Sequence, residues 1–335
     1  EGGAVGGDAP ALITFTSGST GRPKGIVRSV DFLLLQHRLL EGLRQTTPDD
    51  VDLISLPVFI LSNLAAGAAS VIPKGKLTKP AQLDGGELVR QMQRERVNRV
   101  IAPPAVCARM VDSGLQLDEL SALFTGGGPV FPNLLHGMRE FAPRARIHAV
   151  YGSTEAEPIA HLAYDDIGDK DWLAMAEGAG LLAGAPISEI DVDIVEDEVW
   201  VAGPHVNRGY LDRVDDVSTK VTRDSVLWHR TGDAARRDDA GRLWLLGRKE
   251  AVSRDFYPFA VETAALSWPG VRAAGFTVIE GRNILAVCGD ALDDTDLVRR
   301  GRKLGELEVR RVREVPMDRR HNSKVDHVGL RKLLG

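Results

Sequence analysis

Ten residues near the start of the chain restrict its possible folds more strongly than any other stretch. They read Thr16-Ser17-Gly18-Ser19-Thr20-Gly21-Arg22-Pro23-Lys24-Gly25 and follow an apolar run at 11–15 that predicts a strand. Their three glycines allow the backbone to turn sharply and to bring its N–H groups close to an anion. Four hydroxyls and Lys24 supply further hydrogen-bond donors. The stretch therefore predicts a phosphate loop, residues 16–25, directly after a strand.

Two other interpretations fit this loop less well. A Ser/Gly-rich surface loop would not need a lysine embedded in it behind a strand. A Walker loop requires a lysine that follows a glycine directly, whereas Lys24 follows Pro23 and precedes Gly25. The spacing excludes the Walker motif and argues against an ordinary P-loop NTPase.

The composition is that of an ordinary globular chain. Its 335 residues have room for two or three domains, and 43% of them are hydrophobic. A net charge of −5 and the lack of a long basic run give no support to a nucleic-acid partner. Cys107 and Cys288 lie far apart without metal-ligand spacing, so we expect no disulfide framework and a cytoplasmic location.

The longest apolar stretch covers residues 56–73 and is interrupted by Ser62, Asn63, Gly67 and Ser70. It just reaches the length of a membrane span, but these breaks favour a buried strand, turn and helix. We therefore expect no membrane span, and no signal peptide is visible.

Helical and strand patterns alternate over the first 150 residues. Predicted helices cover 31–45, 88–97 and 106–110, and predicted strands cover 99–103, 123–125 and 147–151. The first helix places Phe32, Leu35, Leu39 and Leu43 on one face, with Ser29 or Asp31 as its N-cap. This alternation predicts an α/β sheet with ligands at the loops that follow the strand ends.

The pattern changes after Gly178. Half-exposed strands at 198–202 and 243–246 predict a smaller β-rich subdomain. Past Lys249 a helix, two strands and a charged helix from Asp294 predict a compact α+β unit of ordinary domain size.

The phosphate loop resembles that of the adenylate-forming superfamily, which contains acyl- and aryl-CoA synthetases, peptide-synthetase adenylation domains and luciferases. Other segments resemble the family's motifs in the same order: Thr125-Gly126-Gly127-Gly128-Pro129, Tyr151-Gly152-Ser153-Thr154-Glu155, Asn207-Arg208-Gly209-Tyr210, His229-Arg230-Thr231-Gly232-Asp233 and Gly247-Arg248-Lys249. The resemblance implies an AMP-binding large domain at 1–247, incomplete at its N-terminus, and a small mobile α+β domain at 248–335.

The same resemblance implies a set of nucleotide-binding residues. These are Thr16, Ser17, Gly18, Ser19, Thr20, Gly21 and Lys24 at the phosphates, Gly126, Gly127 and Tyr151 at the adenine, and Asp233 and Arg248 at the ribose. It also implies that Thr154 contacts phosphate and that Glu155, with Thr16, holds Mg²⁺. The chemistry agrees, because an aromatic face suits a purine and a carboxylate suits a hard cation. A carboxylate such as Asp233 can also accept hydrogen bonds from two vicinal hydroxyls.

Lys324, near the end of the chain, occupies the position of the family's C-terminal catalytic lysine. An ammonium there can bridge the carboxylate nucleophile and the phosphate oxygens as pyrophosphate leaves. The implied catalytic residues are thus Lys324, Glu155 and Thr154, and the implied cofactors are ATP and Mg²⁺.

The function that follows from the resemblance is activation of a carboxylic acid to acyl-AMP, then acyl transfer by an acyl or fatty-acid ligase. Residues 56–60 are apolar, so we expect an aliphatic or aryl acid; no residue there would bind an α-ammonium. Residues 250–258 lack the glycines that would admit a pantetheine thiol, so CoA as acceptor is left open. Phe256 and Tyr257 either obstruct that thiol or pack as core residues.

Two further interpretations stay open. The segments Leu56-Pro57-Val58-Phe59, Tyr151–Pro158 and Arg320-His321-Asn322-Ser323-Lys324 resemble the branch of β-lactone synthetases, in which the acid's own β-hydroxyl captures the acyl group. The chain could also be a truncated remnant that binds nucleotide without turnover, although such a remnant would not need Lys324. Pyrophosphate exchange with candidate acids separates these functions.

Overall fold

The computed structural model, which describes residues 6–16, 23–318 and 323–335, begins with an antiparallel hairpin. Strand β1 (Pro10–Thr16) pairs with β2 (Lys24–Ser29), and Thr16 lies opposite Lys24. The strand predicted ahead of the phosphate loop is therefore present. The predicted phosphate ligands Ser17, Gly18, Ser19, Thr20 and Gly21 lie outside the described residues.

A parallel half-sheet follows the hairpin. Its elements are α1 (Val30–Arg44), β3 (Val51–Ile54), α2 (Val58–Ala66), β4 (Ala69–Val71), α3 (Gly85–Arg94), β5 (Arg99–Ala102), α4 (Pro104–Val111), β6 (Ala122–Gly126), α5 (Pro132–Phe141) and β7 (Arg146–Ser153). The strands run parallel in the order β4-β3-β5-β6-β7. The carboxyl ends of β6 and β7 consequently lie at the same edge, where the predicted motifs begin.

Antiparallel strands extend this sheet on the side of β7. They are β8 (Ala156–Ala163), β9 (Leu181–Pro186), β10 (Asp191–Val195), β11 (Glu198–Ala202), β12 (Lys220–Arg223), β13 (Val226–Arg237) and β14 (Leu243–Arg248), with α6 (Asp169–Ala176) after β8. Hydrogen bonds between β8 and β9 join them to the parallel half in one twelve-stranded sheet. The expected β-rich region is thus present, but as a continuation of the α/β sheet.

The last part of the described chain forms its own three-stranded sheet. Its elements are α7 (Pro258–Leu266), β15 (Val271–Ile279), β16 (Arg282–Gly289), α8 (Asp294–Leu304), β17 (Glu308–Arg311) and α9 (His327–Leu334). Phe256, Phe276 and Leu285 belong to a separate hydrophobic core. Helix α7 packs on β14 and α6, and the Phe259 and Phe131 rings meet edge to face at 5.7 Å. The domain boundary at 247/248 stays a prediction.

The apolar stretch 56–73 folds into α2 and β4 within this α/β unit. None of the helices in the described part of the chain has both the length and the apolarity needed to cross a bilayer.

Helix α1 buries a different face from the one that its apolar residues predict. Gln36, Leu40 and Arg44 are buried, whereas Phe32, Leu35, Leu39 and Leu43 are only half-buried. The reason is that Gln36 and Arg44 have buried polar partners, which a hydrophobic pattern cannot reveal. Of the two predicted caps, Ser29 accepts a hydrogen bond from the Phe32 N–H at 3.2 Å.

Two arginines meet one fully buried carboxylate beneath α1. The Arg44 Nη2 lies 2.8 Å from one oxygen of Asp52, and the Arg99 Nε lies 2.9 Å from the other. Asn63 of α2 donates a further hydrogen bond to Asp52 at 2.9 Å. This cluster fixes α1 and α2 against β3 and β5, and Asp52 lies within it without any exposed surface.

We predict that Asp52→Asn destabilises the protein by about 3 kcal/mol, because Arg44 and Arg99 lose their fully buried carboxylate and keep only the more exposed Glu41 and Asp50. The free energy of unfolding from urea titration measures the effect. Glu87→Gln is the control, since Glu87 pairs with Arg90 and Arg94 on an exposed helix surface and should leave stability unchanged. Equal stability of the two variants would contradict the assignment.

Candidate active site

The glycine turn that follows β6 lies at the edge of the sheet where the predicted motifs meet. A Cβ on Gly126 would lie 2.6 Å from the Val150 carbonyl oxygen of β7, closer than real contacts allow. Gly127 follows with φ +79°, a left-handed conformation that favours glycine. Both predicted glycines are therefore required by the backbone, which brings the ends of β6 and β7 together.

Tyr151, Asp233 and Arg248 converge beside this turn. The Tyr151 hydroxyl donates to Asp233 Oδ2 at 2.9 Å, and Arg248 Nη1 donates to Asp233 Oδ1 at 2.9 Å. Burial, with the Asp233 charge, raises the pKa of Tyr151 well above its ordinary value, so the hydroxyl stays protonated and donates. Each oxygen of Asp233 has a second lone pair, so the carboxylate can still accept from a diol. Their contact with a nucleotide stays a prediction.

Glu155 is held by a tyrosine that sequence analysis treated only as part of a structural motif. The Tyr210 hydroxyl donates to Glu155 Oε1 at 2.8 Å, and only 4% of Tyr210 is exposed. Tyr210 also forms an antiparallel β-bridge with Ile26 of β2. Tyr210 therefore contacts both Glu155 and the hairpin. The sequence marked Tyr210 only as the last residue of the motif Asn207-Arg208-Gly209-Tyr210. It does not predict that the Tyr210 hydroxyl reaches Glu155.

Two ammonium groups lie near the Tyr210 ring. The Nζ atoms of Lys24 and Lys220 are 5.3 and 5.8 Å from its centroid, within the range of cation–π contacts. Lys220 also donates to the Asn207 carbonyl. Burial lowers the pKa of Lys220 to about 8, with Glu155 and Asp216 opposing that shift. Tyr210 therefore contacts both a predicted phosphate ligand, Lys24, through its ring and the predicted metal ligand, Glu155, through its hydroxyl.

The ionisation of Glu155 results from opposing effects. Burial alone would raise its pKa, but the neighbouring His229 and the Tyr210 hydrogen bond outweigh burial and hold the pKa below its usual range. Within the described residues no cluster of three or more His, Cys, Asp or Glu side chains could hold a metal ion. A single carboxylate nevertheless fits Mg²⁺, which usually takes one or two carboxylates together with substrate phosphates. The roles of Glu155 and of Thr16, at the end of β1, stay predictions.

Thr154 is fixed through its backbone by another residue that the motifs missed. Arg28, only 2% exposed, donates from Nη2 to the Thr154 carbonyl at 2.9 Å and from Nη1 to Gln36 at 2.9 Å. Burial lowers the pKa of Arg28, opposed by Glu157 and Glu155. No motif pointed to Arg28, because its contact with Thr154 joins residues 126 positions apart.

The C-terminal segment that carries Lys324 lies on the glycine turn. A Cβ on Gly128 would lie 2.5 Å from the Ser323 Oγ, so Ser323 packs directly on Gly128. Lys324 is exposed, and its N–H donates to Asp318 Oδ1 at 2.9 Å while its carbonyl accepts from the Asp318 N–H at 2.8 Å. The structure thus brings the predicted catalytic segment to the predicted adenine site.

The positions of Phe256 and Tyr257, which follow the predicted hinge, bear on whether these rings obstruct a thiol or pack as core residues. Phe256 is a core residue, 7% exposed, with its ring 6.0 Å from that of Phe276. Tyr257 donates from its hydroxyl to Asp197 Oδ2 at 2.7 Å, across to the turn between β10 and β11. Obstruction of a thiol by Phe256 is therefore wrong, because its ring is enclosed by the small core.

Comparisons with known proteins find similarities over most of the chain. A family model described as "AMP-binding enzyme" matches residues 3–211. The olefin β-lactone synthetase of Stenotrophomonas maltophilia is 30% identical over 314 residues, covering 82% of this chain and 57% of that protein. The 2-succinylbenzoate–CoA ligase of Bacillus licheniformis is 30% identical over 301 residues, covering 82% of this chain and 58% of that protein. The chain thus spans less than two thirds of the length of these relatives.

The fold has a close counterpart among solved structures. O-succinylbenzoate coenzyme A synthetase of Bacillus subtilis, in complex with ATP and magnesium ion, aligns with a TM-score of 0.75 at 21% identity. The alignment covers 97% of this chain and 70% of that protein. The expected α/β fold is confirmed.

The contact between Gly128 and Ser323 can be tested directly. We predict that Gly128→Ala displaces residues 323–326 from the glycine turn, because its Cβ would overlap Ser323. Hydrogen exchange of that segment should become faster, with little change in β3, β5 and β6. Gly42→Ala is the matched control, since nothing lies within 4 Å of a Cβ at that helical position. Unchanged exchange at 323–326 would refute the contact.

Proposed function

The chain belongs to the AMP-binding enzyme family, and we propose that it activates a carboxylic acid by joining it to AMP from ATP, with release of pyrophosphate. The observation that carries this proposal is the packing of Ser323 on Gly128. It sets the backbone of Lys324 beside the turn next to Tyr151, Asp233 and Arg248. A nucleotide site and a cationic catalytic group would thus share one edge of the sheet.

Nucleotide binding is proposed to use the residues that converge there. The Tyr151 ring would pack on the adenine, and Asp233, oriented by Arg248, would accept from the ribose hydroxyls. Lys24 and the rest of the phosphate loop would hold the phosphates. Mg²⁺, when bound by Glu155 and Thr16, would neutralise phosphate charge. Tyr210 keeps the Glu155 carboxylate in place for that contact.

The chemical step is a displacement at phosphorus. A carboxylate oxygen of the acid attacks the α-phosphorus, the bond to the bridging oxygen breaks, and pyrophosphate leaves with the electron pair. The Lys324 ammonium would stabilise the charge on the phosphate oxygens, with Thr154 positioned through Arg28. The acyl group then passes to an acceptor. We propose that rotation of the small unit about Lys249 withdraws Lys324 before that second step.

An apolar cavity at the same edge supports an aliphatic or aryl acid. Leu40, Leu56, Phe59, Ile101 and Val150 line it beside Thr125 and Gly126. Its volume is about 20 Å³, so an acyl chain must displace side chains of α1 and α2 as it enters. Leu56 and Phe59 are the residues of the apolar segment 56–60 that line this cavity, which supports the proposed role of that segment.

The acceptor is proposed to be a thiol such as CoA or, in a β-lactone synthetase, the acid's own β-hydroxyl. The two relatives described above carry these two activities in their names. A remnant without turnover is disfavoured, since the Lys324 segment keeps its contact with the glycine turn. Acid-dependent exchange of labelled pyrophosphate into ATP tests the proposed first step for both acceptors.

We predict that Lys324→Ala lowers pyrophosphate exchange about 100-fold or more, because a charge contact made in the transition state is lost. ATP affinity measured by calorimetry should stay nearly unchanged. Lys332→Ala is the control, since Lys332 is an exposed lysine in the last turn of α9. Exchange at the wild-type rate in the Lys324 variant would remove Lys324 from the mechanism.

We predict that Asp233→Ala weakens ATP binding about 100-fold or more, since two hydrogen bonds to a charged acceptor are lost and each contributes about 1.5–3 kcal/mol. Calorimetry of ATP binding measures this loss. Asp239→Ala, at an exposed turn position, provides the control. Unchanged affinity in the Asp233 variant would mean that Asp233 only pairs with Arg248 and Tyr151.

A further inference from the structure

Glu198 is a buried carboxylate next to the segment that carries Asp233, and the proposed chemistry does not use it. It is the first residue of β11, and only 3% of it is exposed. A carboxylate that is removed from water is costly unless charged and polar partners surround it. Its function must therefore be sought in the protein groups that it contacts.

The two oxygens of Glu198 have different partners. Oε2 accepts from Arg230 Nε at 3.0 Å and Nη2 at 2.8 Å, and from Trp200 Nε1 at 3.3 Å. Oε1 accepts from the backbone N–H of Gly232 at 3.1 Å. The ion pair with Arg230 thus fixes the carboxylate, and its other oxygen binds the backbone one residue before Asp233.

The backbone of β13 needs such an acceptor because its ladder with β11 is interrupted. Glu198 lies opposite Ala234 and Trp200 lies opposite Arg230, so residues 231–233 lie opposite a single residue of β11. Extra residues in one strand take backbone groups out of the ladder and change the direction of the side chains beside them. We call residues 231–233 the β13 bulge.

Side chains replace the interrupted ladder in the β13 bulge. Glu198 accepts from the Gly232 N–H, and Thr231 Oγ1 accepts from the Asp233 N–H at 3.1 Å. Thr231 Oγ1 in turn donates to the Val199 carbonyl at 2.9 Å. Gly232 adopts φ +71°, a left-handed conformation that favours glycine. The direction of the Asp233 carboxylate consequently depends on a turn that Glu198 holds.

Arg248 holds the β13 bulge from the other neighbouring strand. Asp233 lies opposite Arg248 of β14, whose Nη1 donates to the Thr231 carbonyl at 3.1 Å and to Asp233 Oδ1 at 2.9 Å. The bulge is therefore held on both sides, by a carboxylate of β11 and a guanidinium of β14. Two adjacent hydroxyls require two correctly directed lone pairs, so a rotated carboxylate would lose at least one of these hydrogen bonds.

We propose that Glu198 is a positioning residue of the nucleotide site, which holds the β13 bulge so that Asp233 can accept from two adjacent ribose hydroxyls at once. The inference rests on the proposed binding of a ribose by Asp233. Because Glu198 acts through Asp233, it favours nucleotides that have a 2′,3′-diol over nucleotides that lack one.

The test compares ATP with 2′,3′-dideoxy-ATP, whose sugar lacks both hydroxyls. Calorimetry measures binding of each nucleotide to the wild type and to Glu198→Gln, in which a neutral amide of the same size replaces the carboxylate. For the wild type we expect about 100-fold or more stronger binding of ATP. Glu198→Gln should weaken ATP binding about 10-fold and leave dideoxy-ATP unchanged, so that the ratio falls. The side chain of Arg230 is 38% exposed and stays hydrated, so we expect this variant to fold.

A second substitution in the bulge tests the same geometry independently. Thr231→Val removes the hydroxyl that binds the Asp233 N–H and should lower the same ratio, whereas Thr231→Ser retains the hydroxyl and should restore it. In the Asp233→Ala background, Glu198→Gln should have no further effect on ATP binding, because the two residues act as one unit. Glu119→Gln makes the same change at an exposed position and is the control.

A purely structural role for Glu198 would weaken binding of both nucleotides equally, or would lower only the free energy of unfolding. The wild-type ratio in Glu198→Gln and Thr231→Val therefore overturns the inference, and Thr231→Val decides it if the other variant does not fold. Equal wild-type affinity for the two nucleotides overturns it together with the ribose contact proposed for Asp233. Lowered ratios in both variants without any acid-dependent exchange would support the inference and overturn only the proposed activation.

Discussion

The buried carboxylate of Asp52 fixes the helix on which the candidate site depends. It holds Arg44 of α1 and Arg99 of β5 at once, with Asn63 of α2 as a third partner. Separating such a cluster would leave charges in the interior, so α1 cannot slide or rotate without a large cost. Two turns earlier on the same buried face, Gln36 contacts Arg28 and Glu157. The core cluster therefore sets one wall of the cavity at a fixed distance from the strand ends.

A second carboxylate joins the two halves of the sheet at the site. Asp233 of β13 is shared by Tyr151 of the parallel half and Arg248 of β14. The antiparallel strands β13 and β14 thus bring the ion pair of Asp233 and Arg248 to the carboxyl end of β7. Tyr210 makes the corresponding connection on the other side, from Glu155 to Ile26 in the second strand of the hairpin. The predicted nucleotide contacts are therefore held by cross-links between distant segments.

The small unit contributes to this site through two different contacts. Helix α7 packs on β14 and α6, while the segment after β17 reaches the glycine turn through Ser323. Gly128 is needed because any side chain there would occupy the space of Ser323. One contact is broad and apolar, and the other is a single close approach. A small rotation would break the second contact while retaining much of the first, which is consistent with the proposed withdrawal of Lys324.

The sequence by itself determined the order and identity of the motifs and most of the elements that carry them. The phosphate loop was predicted from its glycines, hydroxyls and lysine, and Tyr151, Asp233, Arg248 and Lys324 were predicted from the resemblance of their segments to the family's motifs. Their roles stay predictions. The strands at 99–103, 123–125 and 198–202 were predictable because apolar runs bounded by turns have few other outcomes. Only the tertiary structure decided the buried face of α1, the partner of Tyr210 and the placement of Arg28 and Glu157. The polar contacts involved join residues between 8 and 126 positions apart, and local patterns carry no information about which partner will satisfy a buried polar group.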